Sequence, residues 1–293
     1  MPRISVLMPA HNSERFIRQS VVSTLRALPK DSELVVGCDG CTDQTVSILG
    51  SIKDARLRTI VFETNRGVAP TLNELLDSTD SEIVSRMDAD DVSLPWRFRY
   101  QVSTLAANEL QFANVVHYRG RFTVPRPVAP YSIAGSIVPM LLLLENPFAH
   151  PTLVTNRRTL NSLGCYRNVP AEDYDLWVRA VLHGVPITRR SLATVLYRHH
   201  GSQVTTAADA NRRKSKSTEM AAAHSALCEM VTGRSYRCWS ALRDPMSASA
   251  EERAELAALL GDVSKMAETR DSRDVRMLER AVSRVTRHSA GSA

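Results

Sequence analysis

Apolar positions in the first third of the chain fall into short runs separated by longer amphipathic stretches. The run Ile4-Ser-Val-Leu-Met8, closed by Pro9, predicts a buried strand. From Ser13, a predicted N-cap, the residues Ile17, Val21, Leu25 and Leu28 recur near i, i+4 spacing and predict a helix. Leu34–Val36 predicts the second strand, and Thr42 or Asp43 opens a helix carrying Val46, Leu49 and Ile52. Leu57–Phe62 follows as a third strand, with Val68, Leu72, Leu75 and Leu76 lining a third helix. Glu82–Met87 predicts a fourth strand, and a helix starts at Pro95, a residue suited to the first helical turn. Strands alternating with helices of roughly 10–15 residues predict an α/β fold with a doubly wound, mostly parallel sheet. Thr194–Arg198 reads as its last strand. Beyond residue 206 the pattern changes to alanine-rich, charge-mixed segments, Ser217–Met230, Ala250–Leu260 and Val275–Val285. The predicted organisation is an α/β domain over 1–206 and a helical C-terminal extension over 207–293.

Composition narrows the classes. Hydrophobic residues make up 43% of the 293, and charged residues 23%, which excludes a chain too polar to bury a core. The longest apolar stretch, Ile133–Leu144, is interrupted by Gly135, Ser136 and Pro139 and is too short for a membrane span of about 20 residues. The first residues contain no apolar segment of signal-peptide length, so a cytoplasmic protein is expected. Net charge is +6, and only five of the 37 basic residues are lysines. That charge is spread thinly and aromatics are 5%, so no nucleic-acid partner is expected. The cluster Arg212-Arg-Lys-Ser-Lys216 reads as a solvated linker, or one touching anionic lipid. Five cysteines predict free thiols in a reducing compartment. Cys38-Asp-Gly-Cys41 has the spacing of a zinc or redox pair, but no second ligand pair matches it, and coincidence within a polar turn is favoured.

The candidate chemistry sits at strand ends. In open α/β sheets ligands bind beyond the carboxyl ends of the strands. Ala10-His11-Asn12, Asp39-Gly40 and Asp88–Asp91 all follow predicted strands and should converge on one edge. The glycine-rich dinucleotide and phosphate-loop fingerprints are absent. Asp88-Ala-Asp-Asp91 offers hard oxygen ligands suited to Mg²⁺ or Mn²⁺, or else forms a polar loop that caps the next helix. Ala171-Glu-Asp-Tyr-Asp-Leu-Trp177 opens a helix, where three carboxylates suit the helix dipole or supply a general base. His199 and His200 follow the last strand as metal or phosphate ligands, or as merely exposed residues.

Several of these segments occur in the order seen in family 2 glycosyltransferases. They are Ile4–Asn12, Asp39-Gly-Cys-Thr-Asp43, Asn65-Arg-Gly67 with Asn73, and Arg86-Met-Asp-Ala-Asp-Asp91. His150-Pro-Thr152, Glu172-Asp-Tyr-Asp-Leu-Trp177 and Tyr197-Arg-His-His-Gly-Ser-Gln203 complete the series. The chain resembles that family over about residues 1–206. The resemblance implies a GT-A fold, a nucleotide-sugar donor with a UDP-sugar foremost, a divalent cation (Mn²⁺ or Mg²⁺) and an inverting displacement. It divides the first domain into a nucleotide-binding half, 1–91, and an acceptor half, 92–206. Carried over by position, Pro9, Ala10 and His11 line the nucleoside pocket and Asp39 bonds the base. Asp90 binds the metal, Asp88 contacts the donor and assists, and Arg86 opens that motif. Asp173 is the base, Glu172 lies beside it, and His200 meets the metal or diphosphate. Cys38 departs from a common aspartate, Cys41 from a serine, and Cys165 from a glycine. The segment 118–136 shows no motif and is assigned to acceptor specificity.

The function expected is metal-dependent transfer of a sugar to an acceptor hydroxyl in polysaccharide, glycolipid or envelope glycan synthesis. The acceptor is a glycan or a lipid-linked molecule. Peripheral membrane contact or self-association falls to the C-terminal helices. The alternatives are a non-catalytic nucleotide-sugar-binding protein, which should lack Asp90 or Asp173, and a sugar-phosphate nucleotidyltransferase, which should carry a glycine- and arginine-rich first loop.

Overall fold

The computed structural model describes residues 3–119, 126–127, 131–201 and 208–289. Ser202 and Gln203, and residues 120–125 and 128–130 of the segment assigned to acceptor specificity, lie outside them. Two compact units interleave along the chain: one gathers 1–133, 148–168 and 185–200, the other 134–147, 169–184 and 201–293.

The first unit is a nine-stranded sheet with helices. Its strands are β1 (Ile4–Ala10), β2 (Glu33–Asp39), β3 (Leu57–Phe62), β4 (Ile83–Arg86), β5 (Val92–Ser93), β6 (Leu110–Tyr118), β7 (Arg126–Pro127), β8 (Val154–Asn156) and β9 (Ile187–Arg198). The order is β3-β2-β1-β4-β8-β6-β9-β5, with β7 on β6. Parallel pairing, as expected, joins β3, β2, β1 and β4. Beyond β4 the expectation of a mostly parallel sheet gives way to a mixed one. There β8 runs antiparallel to both β4 and β6, β6 and β9 are parallel, and β5 is antiparallel to β9.

Helices α1 (Ile17–Ala27), α2 (Thr45–Gly50) and α3 (Val68–Asp77) connect the parallel strands. Ile17, Val21 and Leu25 bury the predicted stripe of α1 against Ile4, Val6, Met8, Leu34 and Val36. Regular helix starts four residues after Ser13, whose carbonyl closes a preceding turn by accepting from the amides of Phe16 and Ile17. Side-chain alternation along β2 turns Cys38 into this core and Asp39 the other way. Cys38 therefore packs as a small hydrophobe, and burial pushes its thiol up to about 12. Helices α4 (Arg97–Ser103) and α6 (Arg157–Ser162) complete the unit.

The second unit is helical: α5 (Val138–Leu144), α7 (Glu172–Leu182), α8 (Ala208–Ser215), α9 (Thr218–Thr232), α10 (Trp239–Arg243), α11 (Ala250–Ala267) and α12 (Ser272–Ser289). The apolar stretch that is too short to cross a membrane becomes α5, every described apolar side chain of which is buried except Pro139. No helix among the described residues is long and apolar enough to span a bilayer. Ser217 caps α9, Gly233 ends it in the left-handed conformation, and Ser249 with Glu252 forms a capping box on α11.

Candidate active site

Strand register brings the predicted residues of the first unit to one sheet edge. Ala10 pairs with Cys38, Asp39 with Phe62, and Leu7 with Arg86, so β1, β2, β3 and β4 end near one another. The loops after β1 and β2 are sewn together. The Thr42 amide donates to Asn12 Oδ1 at 2.8 Å, the Ser13 amide to Thr45 Oγ1 at 2.8 Å, and the Glu14 amide to Asp43 Oδ2 at 3.0 Å. His11 Nδ1 lies 2.7 Å from the Asp39 carbonyl, which can only accept, so this nitrogen carries the proton. Pro9 and Ala10 complete β1 beneath His11.

Asp39 is 4% exposed and organises the loop after β3: its two oxygens accept from the amides of Arg66 (2.8 Å) and Gly67 (2.9 Å). Gly40 is required here. Its φ is +60°, and a Cβ would stand 2.4 Å from the Asn65 nitrogen. Asn73 on α3 reaches across to Tyr166, accepting from its amide (3.1 Å) and donating to its carbonyl (2.8 Å). Tyr166 in turn meets His150 through its hydroxyl at 3.1 Å. The Asn65-Arg-Gly67, Asn73 and His150-Pro-Thr152 segments are thus framework for this edge.

At the end of β4 lie the carboxylates. Asp88, Asp90 and Asp91 each offer an oxygen within 4.8 Å of the others. Arg86 pairs with Asp88, and His200 Nε2 lies 2.7 Å from Asp90 Oδ2. Ser20 of α1 donates to the Asp88 carbonyl at 2.6 Å. Arg198 fixes the other side: its amide donates to Asp91 Oδ1 (2.8 Å) and its Nε to the Asp90 carbonyl (2.6 Å). The Phe16 ring lies under both Arg198 and His200. Four-residue proximity alone does not hold this cluster; β5 pairing with β9 brings residues 198–200 onto it.

Asp91 is 1% exposed, and its Oδ2 has no hydrogen-bond partner among the described residues. Burial, and then the charges of Asp88 and Asp90, raise its pKa well above the usual carboxylate range. The fully buried Arg97 compensates in part, holding Ser85 Oγ, Ser93 Oγ and the carbonyls of Arg86 and Pro151. An orphaned buried oxygen beside two carboxylates and an imidazole is a hard donor set that fits a divalent cation such as Mg²⁺ or Mn²⁺. Asp91, Arg198 and Phe16 are additions to the predicted site. Asp91 and Arg198 stand inside segments the sequence singles out, but their contacts depend on β9.

Glu172 and Asp173 open α7 in the second unit. Ala171 precedes them at φ +83°, a costly conformation for a residue with a Cβ, and makes no side-chain cap. Asn146 donates to Asp173 Oδ2 at 2.9 Å, and the other oxygen has no partner among the described residues. Tyr174 donates to the Leu142 carbonyl at 2.6 Å, and Asp175 binds Arg179 at 2.8 Å within the buried face. The first turn thus divides its labour. Tyr174 and Asp175 anchor the helix, while Asp173 is partly exposed with one oxygen held.

Comparison with known proteins identifies the family and the fold. The model of Glycosyl transferase family 2 matches residues 5–163. The O-antigen biosynthesis glycosyltransferase WbnJ of Escherichia coli is 29% identical over 196 residues, covering 64% of this chain and 74% of that protein. The UDP-Glc:alpha-D-GlcNAc-diphosphoundecaprenol beta-1,3-glucosyltransferase WfgD of E. coli is 27% identical over 177 residues, covering 60% and 68%. The chain spans 66% to 78% of the length of the first three curated relatives it matches. Staphylococcus aureus TarS 1–349, solved with UDP-GlcNAc, superposes with a TM-score of 0.64 at 20% identity, over 99% of this chain and 89% of that one. The fold is GT-A, and the chain is a glycosyltransferase belonging to family 2.

Proposed function

We propose that the protein is a metal-dependent, inverting glycosyltransferase. In this reading it moves a sugar from a UDP-sugar to a hydroxyl of a lipid-linked glycan in cell-envelope synthesis. The observation that carries the metal and donor reading is the Asp88, Asp90, Asp91 and His200 cluster with its orphaned Asp91 oxygen. The names of WbnJ and WfgD, and the UDP-GlcNAc bound by TarS, support the donor and acceptor classes.

Asp90, Asp91 and His200 would hold the cation, with Asp88 turned to the donor and steadied by Arg86. When bound, the cation neutralises negative charge on the departing diphosphate. Pro9, Ala10 and His11 line the nucleoside pocket, and Asp39 serves the base through the loop it organises as well as directly. Asp173 accepts the acceptor hydroxyl proton on its unoccupied oxygen while Asn146 fixes the other. Glu172 lies beside the incoming acceptor. Attack by that hydroxyl opposite the leaving diphosphate inverts the anomeric carbon in one displacement.

The test supplies a UDP-sugar, Mn²⁺ and a polyprenyl-diphosphate sugar, follows UDP release, and reads the product anomer by NMR. Expected is Mn²⁺-dependent release with an inverted product. A retained anomer, or equal release in EDTA, contradicts the proposal.

A further inference from the structure

One feature of the second unit is used by neither the carboxylate cluster nor the proposed base. On α12, Arg273, Arg276, Arg280, Arg284 and Arg287 recur at three- and four-residue spacings. At 3.6 residues per turn these positions fall within an arc of about 80°. All five side chains are exposed. The apolar side of the same helix, Met277, Leu278, Ala281 and Val285, is buried within its own unit. Arg284 is tied to Glu145 at the end of α5 by bonds of 2.8 and 2.5 Å. Arg273, Arg276, Arg280 and Arg287 make no ion pair among the described residues.

Charge is also segregated between helices. α12 carries these five arginines against Asp274 and Glu279. In contrast, α9 has Glu219 and Glu229 and no lysine or arginine, and α11 has four carboxylates against Arg253 and Lys265. A composition merely rich in arginine would spread it evenly over the three.

We propose that α12 docks on an anionic bilayer surface, lying in its plane with the arginine row against the phosphates. A straight row on a rigid rod, about 21 Å from first to last at 1.5 Å per residue, matches a plane of phosphates better than a convergent pocket would. Guanidinium forks bind phosphodiesters bidentately and shed hydration readily. The helix has no Phe, Tyr or Trp to stack bases, and its one imidazole, His288, lies in the last turn. Its apolar side is occupied, so adsorption is electrostatic and reversed by salt. The proposal rests on the lipid-linked acceptor reading for its purpose, since docking brings the enzyme to the membrane where such an acceptor lies.

The full chain is sedimented with vesicles of phosphatidylcholine containing phosphatidylglycerol, and with pure phosphatidylcholine, at low and high salt. Expected is binding to the anionic vesicles only, lost at high salt. The triple variant Arg276→Gln, Arg280→Gln, Arg287→Gln should bind on the order of 10²-fold more weakly. Its melting temperature and donor affinity should match the parent, because the replaced groups are exposed and make no hydrogen bond or ion pair of 4 Å or less among the described residues. Arg237→Gln, elsewhere in the unit, should leave binding unchanged. Equal binding to neutral vesicles, salt-insensitive binding, or a triple variant within threefold of the parent overturns the proposal. So does capture of soluble polyglutamate without vesicle binding, which would make an acidic protein the partner. The readout uses neither donor nor acceptor, so it fails independently of the transfer assay.

Discussion

Asp90 and Asp91 show how neighbouring aspartates come to different conditions. Asp91 is sealed beneath the cluster with one oxygen unpartnered, while Asp90 remains partly exposed and meets His200 at 2.7 Å. Buried like charges oppose one another, and a cation relieves that repulsion, so metal should stabilise the fold before any donor is added. Asp90→Asn preserves shape and the contact to His200 but removes a charge. The variant should fold, and its Mn²⁺-induced rise in melting temperature should disappear along with Mn²⁺-dependent UDP binding. Calorimetry with and without the ion checks this; an unchanged Mn²⁺ response would return the motif to a loop that merely caps a helix.

At the scale of elements, the sheet edge depends on loops that grip one another. Gly40 is the tightest point, with the backbone of Thr64 and Asn65 filling the space a Cβ would need. Gly40→Ala adds a left-handed alanine and a backbone clash, and should cost roughly 2–4 kcal/mol of stability. Because residues 64–67 must shift, the variant should also lose UDP affinity more than Mn²⁺ affinity. Denaturant melts and titrations check both, and a stable variant with parental UDP affinity would contradict the role given to this loop. The elements themselves were partly legible in sequence. Strands β1, β2 and β4 showed as apolar runs because both of their faces are largely buried, and the edge strand β3 because apolar residues cover its inner positions although Val61 is exposed. The first half of β9 was missed because Arg189 and Arg190 interrupt its apolar pattern, yet Arg189 is buried in the sheet. The antiparallel half of the sheet pairs residues far apart in sequence, such as Val154 with Ser85, and no local pattern encodes that. The carboxylates were legible because they fall within four residues, Asp88 to Asp91. That Arg198 completes their surroundings, stacked on Phe16 ahead of α1, was not, because only the β5–β9 pairing brings Arg198 there.

Across the whole molecule, each unit carries a buried histidine held neutral. In the first, burial and then the charge of Arg86 keep His150 well below its ordinary range. In the second, burial pulls His224 down to about 4. Its Nε2 donates to the Leu143 carbonyl at 3.0 Å, which leaves Nδ1 to accept from the Cys228 thiol at 3.6 Å. The unfolded chain takes up a proton near pH 6.5 and the folded one only near 4, so stability is complete above 6.5 and is lost as pH falls between those values. The loss for His224 is on the order of 3 kcal/mol. His224→Gln can keep the bond to Leu143 without titrating. Its denaturation free energy should fall less steeply from pH 6.5 to 4 than that of the parent, and parallel curves would contradict the assignment.

If this fold transfers a sugar with Asp173 as base, Asp173→Asn is the variant that separates catalysis from folding. Asparagine keeps the shape and an oxygen for the Asn146 amide and loses only a first-turn charge worth about 0.3–1 kcal/mol, so the fold should be retained. It cannot accept a proton at neutral pH, so turnover should fall on the order of 10²–10⁴-fold. UDP-sugar affinity should survive, because the base acts on the acceptor as the transition state forms. Turnover and UDP-sugar affinity are therefore measured together in Mn²⁺ on the parent and the variant. Lost turnover with parental affinity is the result predicted here, and turnover within about threefold of the parent would contradict it and pass the role to Glu172.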